Sequence, residues 1–161
     1  MFNFQELYDL YAHEVYKFSF WLSGDRFEAE DITSDTFVRL WVRFNSIRTE
    51  TLKAYLFTIA RNIYLKNLNK RNNQVALNDA IPDRTPEPEK LVDSRLELQQ
   101  IQCVLQKLPE VDRSAFLLRV QHDLSYVEIA RVLQISLTAA KVKVHRVRKK
   151  LLTIRAEKEV Y

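Results

Sequence analysis

The chain has 161 residues, a net charge of +4 and 29% charged residues, which is typical of a globular protein with one domain or two small ones. Its single glycine and single cysteine disfavour β-rich folds, glycine-rich phosphate loops, internal disulfides and cysteine-based metal clusters. No apolar run approaches the ~20 residues of a membrane span, and the first residues lack the order of a signal peptide. We therefore expect a cytoplasmic protein without membrane insertion.

The first half of the chain predicts three helices. Apolar residues recur there at steps of three and four, which is the period of one buried helix face. The first such stripe runs through residues 4–22, and the only glycine, Gly24, marks its end. The second runs through residues 29–41, and the third through residues 52–68 after a loop at residues 45–50. We expect these helices to form a compact domain over residues 1–71.

Residues 72–93 predict a flexible linker. They contain three of the four prolines, have an acidic balance and show no period. We therefore expect the two domains to hold no fixed distance in the free protein. A second domain over residues 94–161 opens with a helix that carries Cys103 as a buried or half-buried small hydrophobe, and Pro109 begins the next helix. The expected apolar face of the first of these helices comprises Leu98, Ile101, Val104, Leu105 and Leu108.

The stretch LSYVEIARVLQISLTAAKVKVHRVRKKL predicts a helix-turn-helix. Ser125 and Glu128 have the spacing of a capping box, and Ser136 caps the following helix after a short turn. Two short helices in this arrangement, the second strongly basic, are typical of DNA-binding proteins. Ala140, Val144 and Val147 are expected inward. Thr138, Lys141, His145 and Arg146 then point toward a major groove, with Lys143, Arg148, Lys149 and Lys150 flanking them near phosphates.

Charge is unevenly distributed along the chain. Residues 25–35 are acidic, whereas residues 39–71 and 136–155 are basic. One basic block alone is more often a solvated helix face, but two separate blocks favour two places that hold a polyanion. His13, His122 and His145 are too scattered for a metal site or a catalytic triad. We therefore expect no enzyme activity, no cofactor, no metal and no small-molecule substrate.

Residues 108–151 resemble the fourth region of sigma-70 family RNA polymerase sigma factors. The first half, with FQELYDLYAHEVYKFSFWLSGDRFEAEDITSDTFVRLWVRF and LKAYLFTIARNIYLKNLNKR, is similar to their second region. The chain has no room for a third region, so the resemblance is to the extracytoplasmic-function (ECF) class. It implies an all-α fold of two small helical domains joined by a flexible linker. It also implies a promoter-specificity subunit that binds core RNA polymerase and promoter DNA.

The resemblance assigns three groups of site residues. The polymerase β′ clamp would contact exposed Asp31, Ser34, Asp35 and Arg39 on a helix anchored by buried Phe37 and Trp41. The −10 element would be held by Arg61, Asn62, Lys66, Lys70 and Arg71, with the loop at residues 44–49 as the other wall of a base pocket. The −35 element would be read by Ser136, Thr138, Lys141, Lys143, His145, Arg146 and Lys149.

The resemblance also implies further partners, and the chain departs from the family pattern at three positions and in the segment TAAKVK, where the family has GTVKSR. The polymerase β subunit is a second contact, and family members are commonly held by an anti-sigma factor. The family usually has Gln at the position of Ser34, commonly Asp at Lys66, and commonly Gly in the turn at Gln134. These departures leave the fold prediction intact, but the −35 sequence preference does not carry over.

Two other functions compete with the sigma-factor interpretation. A helix-turn-helix regulator with an N-terminal sensing domain predicts a ligand pocket or a phosphoacceptor and no polymerase contact. An enzyme acting on nucleic acid predicts a catalytic cluster on a basic surface. An acidic helix followed by a basic aromatic one fits the regulator poorly. The scattered histidines, and the lack of an acid pair on a basic groove-facing surface, argue against the enzyme.

Overall fold

The computed structural model describes residues 3–48, 51–77 and 93–159. Within these ranges the chain is helical and contains no strand, as the all-α prediction requires. None of the helices in this part of the chain is both long and apolar enough to cross a membrane. The helices are α1 (Phe4–Ser23), α2 (Arg26–Val42), α3 (Leu52–Leu77), α4 (Asp93–Lys107), α5 (Glu110–Val120), α6 (Tyr126–Leu133) and α7 (Leu137–Glu159), with a 3₁₀ turn at Phe44–Ser46.

Local signals define the ends of the first two helices. The Asn3 side chain accepts a hydrogen bond from the backbone N–H of Glu6, whose carboxylate accepts one from the N–H of Asn3, which completes a capping box. Gly24 ends α1 in the left-handed conformation at φ 73°, where a side chain would be strained. Asp25 then accepts hydrogen bonds from the backbone N–H groups of Phe27 and Glu28 and begins α2.

The third helix is longer than predicted. α3 continues to Leu77, six residues beyond the expected domain end at Arg71. No proline or glycine interrupts residues 72–77, so the backbone hydrogen bonds of the helix can continue. The first part of the predicted linker is therefore helical. The prediction for residues 78–92 lies outside the described residues.

The N-terminal half packs α1, α2 and α3 around a common core. Phe18, Leu22, Ile32 and Phe37 are among its buried side chains, so the prediction for Phe37 is confirmed. The prediction that Trp41 is buried is wrong, because its side chain is 63% exposed. The buried face of α2 ends at Leu40, which is 0% exposed, and the next position turns about 100° away from the core. The Trp41 and Phe4 rings still pack edge to face, with 4.9 Å between their centroids.

The C-terminal half consists of α4 to α7. The predicted inward residues Ala140, Val144 and Val147 of α7 are buried. On α4 the prediction is only partly correct: Leu105 and Leu108 are buried, whereas Leu98 and Ile101 are exposed. Cys103 is also exposed, contrary to expectation. The reason is that only the C-terminal part of α4 packs against α1 and α5, through side chains such as Leu105 and Gln106.

The two halves pack against each other. α1 contacts α5, and α3 contacts α6. The buried apolar side chains form one cluster that includes residues of both halves, such as Phe18 and Leu118. This arrangement contradicts the expectation that the two domains hold no fixed distance. The physical reason is that both halves leave apolar surface facing each other, and its burial removes that surface from water.

Candidate nucleic-acid interface

The helix-turn-helix forms as predicted and is held by its caps. The Ser125 hydroxyl accepts a hydrogen bond from the backbone N–H of Glu128 at 3.1 Å, and the Glu128 carboxylate accepts one from the N–H of Ser125 at 3.3 Å. Ser136 Oγ accepts from the N–H of Ala139 at 3.0 Å and so begins α7. Between the helices, Gln134 takes the left-handed conformation at φ 55° and ψ 48°. The short turn therefore directs α7 away from α6.

One face of α7 carries the side chains predicted to meet a DNA groove. Ala140, Val144 and Val147 occupy the opposite, buried face with relative exposures of 0%, 0% and 1%. The positions between them point to solvent because a helix turns about 100° per residue. The exposed members of the predicted set, including the cap of the helix, are Ser136, Thr138, Lys141, His145, Arg146 and Lys149.

Lys143 differs from the rest of the predicted set. Its side chain is only 25% exposed, and its ammonium nitrogen lies 2.8 Å from Oδ1 of Asp112 on α5. This ion pair ties α7 to α5 and partly neutralises the charge of Lys143. The structure therefore places Lys143 beside the exposed face and engages it in a contact within the protein.

Sequence analysis missed Val142. This residue is 40% exposed and lies one turn after Thr138 and one turn before Arg146, near the centre of the exposed face of α7. The hydrophobic pattern passed over it because the neighbouring Val144 and Val147 supply the buried stripe. A helical projection of the same sequence would have shown an apolar side chain in the middle of polar ones.

The residues assigned to the −10 element lie along α3, and the structure divides them into two groups. Asn62, Lys66 and Lys70 are exposed. Arg61 instead donates two hydrogen bonds to Glu110 of α5, at 2.6 and 2.9 Å, and is 12% exposed. The remaining member, Arg71, pairs with Glu28 of α2 at 2.5 Å.

The loop assigned as the second wall of the base pocket is described up to residue 48. Phe44 and Ile47 are half-buried and pack against the core, whereas Asn45, Ser46 and Arg48 are exposed. Thr49 lies outside the described residues. The 3₁₀ turn at Phe44–Ser46 is closed by the Ser46 hydroxyl, which donates to the backbone carbonyl of Arg43 at 2.9 Å. These contacts position the loop between α2 and α3.

A mixed acidic and apolar surface covers α2. Asp31, Ser34, Asp35 and Arg39 are all exposed, as predicted. The structure adds an apolar extension that sequence analysis missed, which we call the α2 apolar patch. It consists of Val38, Trp41 and Val42, with relative exposures of 61%, 63% and 76%. Exposed apolar side chains grouped on one element are typical of protein interaction sites.

A groove of about 340 Å³ lies between α4 and the end of α7. Its walls are mainly apolar, and Glu97 and Arg155 contribute charged groups to it. The exposure of Ile101 on α4 is explained by this groove. The other aliphatic lining residues are Val104, Leu151, Leu152 and Ile154.

Two known protein families match separate parts of this chain. Residues 7–74 match the family described as Sigma-70 region 2, and residues 98–151 match Sigma-70, region 4. The first match covers α1 to α3, and the second covers the helix-turn-helix together with α5 and most of α4. The two matched regions therefore coincide with the two halves of the fold.

Several relatives are similar in sequence to this chain over most of its length. The ECF RNA polymerase sigma factor EcfG of Rhodopseudomonas palustris is 30% identical over 135 residues, which cover 83% of this chain and 75% of the relative. SigM of Bacillus subtilis is 28% identical over 150 residues, with 91% of both proteins covered. SigE of Mycolicibacterium smegmatis is 31% identical over 156 residues, which cover 92% of this chain but only 60% of that longer relative.

Solved structures show the same fold. The sigma factor RpoE of Bartonella quintana, solved in complex with the anti-sigma factor NepR, superimposes with a TM-score of 0.81 at 27% identity and covers 95% of this chain. The match extends over 96% of that protein. CnrH, solved with the cytosolic domain of CnrY, shares the fold with a TM-score of 0.68 at 24% identity. The family matches and the similarity to RpoE support the sigma-factor interpretation over that of a regulator with a sensing domain.

Proposed function

Because this chain belongs to the ECF class of sigma-70 family RNA polymerase sigma factors, we propose which of its surfaces bind polymerase and which bind promoter DNA. A sigma factor of this class binds core RNA polymerase and directs it to promoters, with region 2 at the −10 element and region 4 at the −35 element. We place this activity in the cytoplasm and assign it no catalytic chemistry, cofactor, metal or small-molecule substrate. The observation that carries the assignment is the presence of both matched regions, each with an exposed polar surface, on one chain.

The proposed polymerase surface is the exposed face of α2. Asp31 and Asp35 give it negative charge, and the α2 apolar patch adjoins them. A carboxylate pair beside exposed apolar side chains fits a basic partner that also buries apolar surface. The β′ clamp is the partner we assign to this face. The acidic residues would steer the encounter, and burial of Val38 and Trp41 would supply affinity.

The proposed −35 surface is the exposed face of α7. Arg146 and Lys141 can donate to the acceptors of guanine in a major groove, whereas Lys149 suits a phosphate. Val142 has no hydrogen-bonding group and lies between them in the centre of the face. The matching feature of a base pair is the methyl group of thymine. We therefore assign Val142 to a thymine in the −35 element.

The proposed −10 surface lies along α3. Asn62 is the residue for a flipped base, and Lys66 and Lys70 form a basic track for the phosphates of one strand. Arg61 and Arg71 belong to the same track in position, but each is paired with a carboxylate in this structure. We therefore propose that Lys66 and Lys70 supply the phosphate contacts that need no rearrangement.

We propose two further partners, one from the lining of a groove and one from a similar solved structure. The apolar groove between α4 and α7 is large enough for apolar side chains of a partner, and we assign it to the polymerase β subunit. RpoE, which is similar to this chain, is described in complex with the anti-sigma factor NepR. An anti-sigma factor is therefore a candidate regulator of this chain too.

The domain limits remain part of the proposal. Residues 1–71 correspond to region 2 and residues 94–161 to region 4, joined by residues 72–93. The family matches at residues 7–74 and 98–151 support this division, although α3 carries helical structure into the joining segment. The N-terminal limit of region 4 agrees within a residue with the start of α4.

Reconstituted transcription tests the proposed function. Core polymerase with the full chain should transcribe from a promoter selected from genomic fragments, whereas core polymerase alone should not. Arg146→Ala should lose about 1–3 kcal/mol of discrimination at one −35 base pair, while Lys149→Ala weakens all sequences alike. Transcription that does not depend on the chain, or equal effects of both variants on all sequences, would contradict the assignment.

A further inference from the structure

A bidentate ion pair joins the two halves of the protein. The Arg61 guanidinium on α3 donates from Nε to Oε1 of Glu110 at 2.6 Å and from Nη2 to Oε2 at 2.9 Å. The Ser114 hydroxyl donates to the same carboxylate at 2.7 Å and so orients it. Both charged side chains are largely shielded, with relative exposures of 12% and 14%. Two parallel charge-assisted bonds with little solvent access form a strong and directional contact.

A buried arginine strengthens the same junction. Arg113, one turn after Glu110 on α5, donates to the backbone carbonyl of Leu22 at the end of α1 and to the Tyr64 hydroxyl of α3 at 3.3 Å. The last carbonyls of a helix have no partner within the helix. Side chains of the C-terminal half supply these partners, because Gln106 also donates to the Leu22 carbonyl at 3.2 Å. The C-terminal half therefore completes α1.

The centre of the junction is apolar. The His122 ring, in the turn before α6, lies 5.8 Å from the Phe18 ring and 4.5 Å from the Phe57 ring between centroids. His122 is 1% exposed, and neither ring nitrogen has a hydrogen-bond partner within the described part of the chain. The imidazole therefore packs as an apolar ring. Separation of the halves would expose this cluster and requires compensation by another partner.

Arg61 has two competing partners: Glu110 in this structure, and a DNA phosphate in its proposed −10 role. We propose that the pairing of Arg61 with Glu110 is an autoinhibitory contact, in which region 4 withholds a phosphate-binding residue of region 2 from promoter DNA until polymerase separates the two regions. The inference depends on the proposed −10 role of Arg61. A guanidinium whose fork is filled by a carboxylate cannot present the same donors to a phosphate. DNA and region 4 therefore compete for Arg61.

The junction can act as a switch because its charged side chains and its apolar side chains differ in how they are stabilised by water. Arg61 and Glu110 both regain hydration when they separate, whereas separation exposes the apolar rings of Phe18 and Phe57 to water. The closed form is therefore favoured in the free protein. Polymerase shifts the equilibrium only by its greater affinity for the open form. The surface that we assign to the clamp, on α2, lies outside the junction and is available for that first encounter.

Distance measurements in the full chain test the contact itself. A fluorophore pair would be attached to the exposed native Cys103 on α4 and to a second cysteine introduced by Gln5→Cys on the exposed side of α1. The free protein should show a short distance that lengthens when core polymerase is added. Glu110→Ala should lengthen the distance without polymerase. The charge swap Arg61→Glu with Glu110→Arg should restore the short distance.

Binding of mixed-sequence single-stranded DNA tests whether release of Arg61 from Glu110 strengthens DNA binding. Glu110→Ala should bind about tenfold more tightly than the wild-type free protein, which corresponds to a shift of about 1.4 kcal/mol in the equilibrium. Adding Arg61→Ala to that variant should remove the gain. Asp123→Asn is the matched control, because it also removes one carboxylate, at an exposed position of the turn before α6, and keeps a residue that tolerates its positive φ of 60°.

The outcomes separate this proposal from the proposed function. An unchanged label distance in Glu110→Ala, or a lengthened distance with no gain in DNA binding, would overturn the autoinhibitory contact. An equal gain in Asp123→Asn would overturn it too, since net charge alone would then explain the binding. Promoter-dependent transcription by the wild-type chain with core polymerase tests the sigma-factor function separately. Loss of that transcription counts against the function and leaves the label distances as an independent measure of the contact.

Discussion

Asp112 on α5 holds the ammonium group of Lys143 on α7 at 2.8 Å, so the charge of one basic residue beside the exposed face of α7 is already partly neutralised within the protein. The exposed Lys149 on the same helix differs in this respect. Both lysines are in the set predicted to contact DNA. The structure therefore makes Lys149 more available to DNA than Lys143, although the sequence pattern treats the two as equivalent.

This ranking predicts different salt dependences for two variants. Lys149→Ala should lower the slope of log K against log salt for −35 DNA by about one, because one phosphate contact is lost. Lys143→Ala should lower it by clearly less, since its charge is shared with Asp112. Titrations of DNA binding at several salt concentrations provide the measurement. Equal reductions would show that Lys143 leaves Asp112 when DNA binds.

Val142 should make the affinity for DNA depend on the methyl group of the contacted thymine. Replacement of the contacted thymine by uracil, which lacks only the methyl group, should weaken binding of the wild-type protein by about 1 kcal/mol. Val142→Ala should weaken binding to the thymine-containing element and should reduce its preference over the uracil version. The affinities of both proteins for both DNAs complete a double-mutant cycle. Lys149→Ala serves as the control and should keep the full preference for thymine.

The turn of the helix-turn-helix contains a strained residue. Gln134 has φ 55°, a conformation that costs side-chain-bearing residues roughly 1 kcal/mol relative to glycine. Gln134→Gly should therefore raise the free energy of unfolding by about 0.5–1 kcal/mol, measured by chemical denaturation. Gln121 ends α5 with φ −90°, so Gln121→Gly is the matched control and should be destabilising. A loss of stability in both variants would refute the strain argument.

The acidic face of α2 should be required for polymerase binding. Asp31→Lys combined with Asp35→Lys reverses the charge of two exposed residues and should abolish capture by core polymerase while helical content is retained. Trp41→Ala should weaken capture as well, because its exposed ring offers apolar area to the partner. Asp9→Lys, at an exposed position of α1, should have no effect. Undiminished capture of the double variant would exclude this face.

His122 should make the stability of the closed form depend on pH. Burial, and secondarily the positive charges of Lys53 and Lys17, lower the pKa of His122 from its ordinary 6.5 to about 3. The facing groups are Glu14, whose Oε1 lies 3.9 Å from Nδ1 of His122, and Lys53, which is 3.5 Å from Glu14. Because the closed form binds the proton less readily, its stability is fully present above pH 6.5 and is lost between pH 6.5 and 3.

The size of this effect follows from the shift. The loss is about 1.4 kcal/mol for each pH unit below 6.5, so it reaches about 1.4 kcal/mol at pH 5.5. Denaturation curves at pH 7.5, 6.5 and 5.5 provide the measurement. His122→Leu should remove most of the slope, since no ionisable group then remains in the apolar centre of the junction. Identical slopes in both proteins would place the pH dependence elsewhere.

Several features of the fold could be predicted from the sequence because they depend on residues close together in the chain. The capping box of Ser125 and Glu128 and the break at Gly24 involve interactions over one helical turn. The apolar stripe of Ala140, Val144 and Val147 follows from the helix period. The family resemblance placed Asp31 and Asp35 on an exposed face of one helix, and both are exposed. The joint order of the two family motifs then identified the class of protein.

Other features depended on which surfaces meet in three dimensions. The pattern placed Trp41 and Leu98 in a core, but the packing partners that would cover them are absent from the described fold, and both are exposed. The exposure of Cys103 has the same cause. The pattern also placed Arg71 at the end of a domain, although α3 continues past it. A hydrophobic period identifies the face of a helix, but it does not determine how far the neighbouring element extends along that face.

The sequence by itself determined the helices, their caps, the two basic segments and the family, because these properties arise from local periodicity and from motifs in a given order. Only the tertiary structure decided which basic residues are available. Arg61 and Glu110 are 49 residues apart in sequence, and no local signal links a basic residue of one region to an acidic residue of the other. Their pairing follows from the packing of α5 against α1 and α3, where burial of Phe18, Phe57 and His122 brings the two charges within hydrogen-bonding distance.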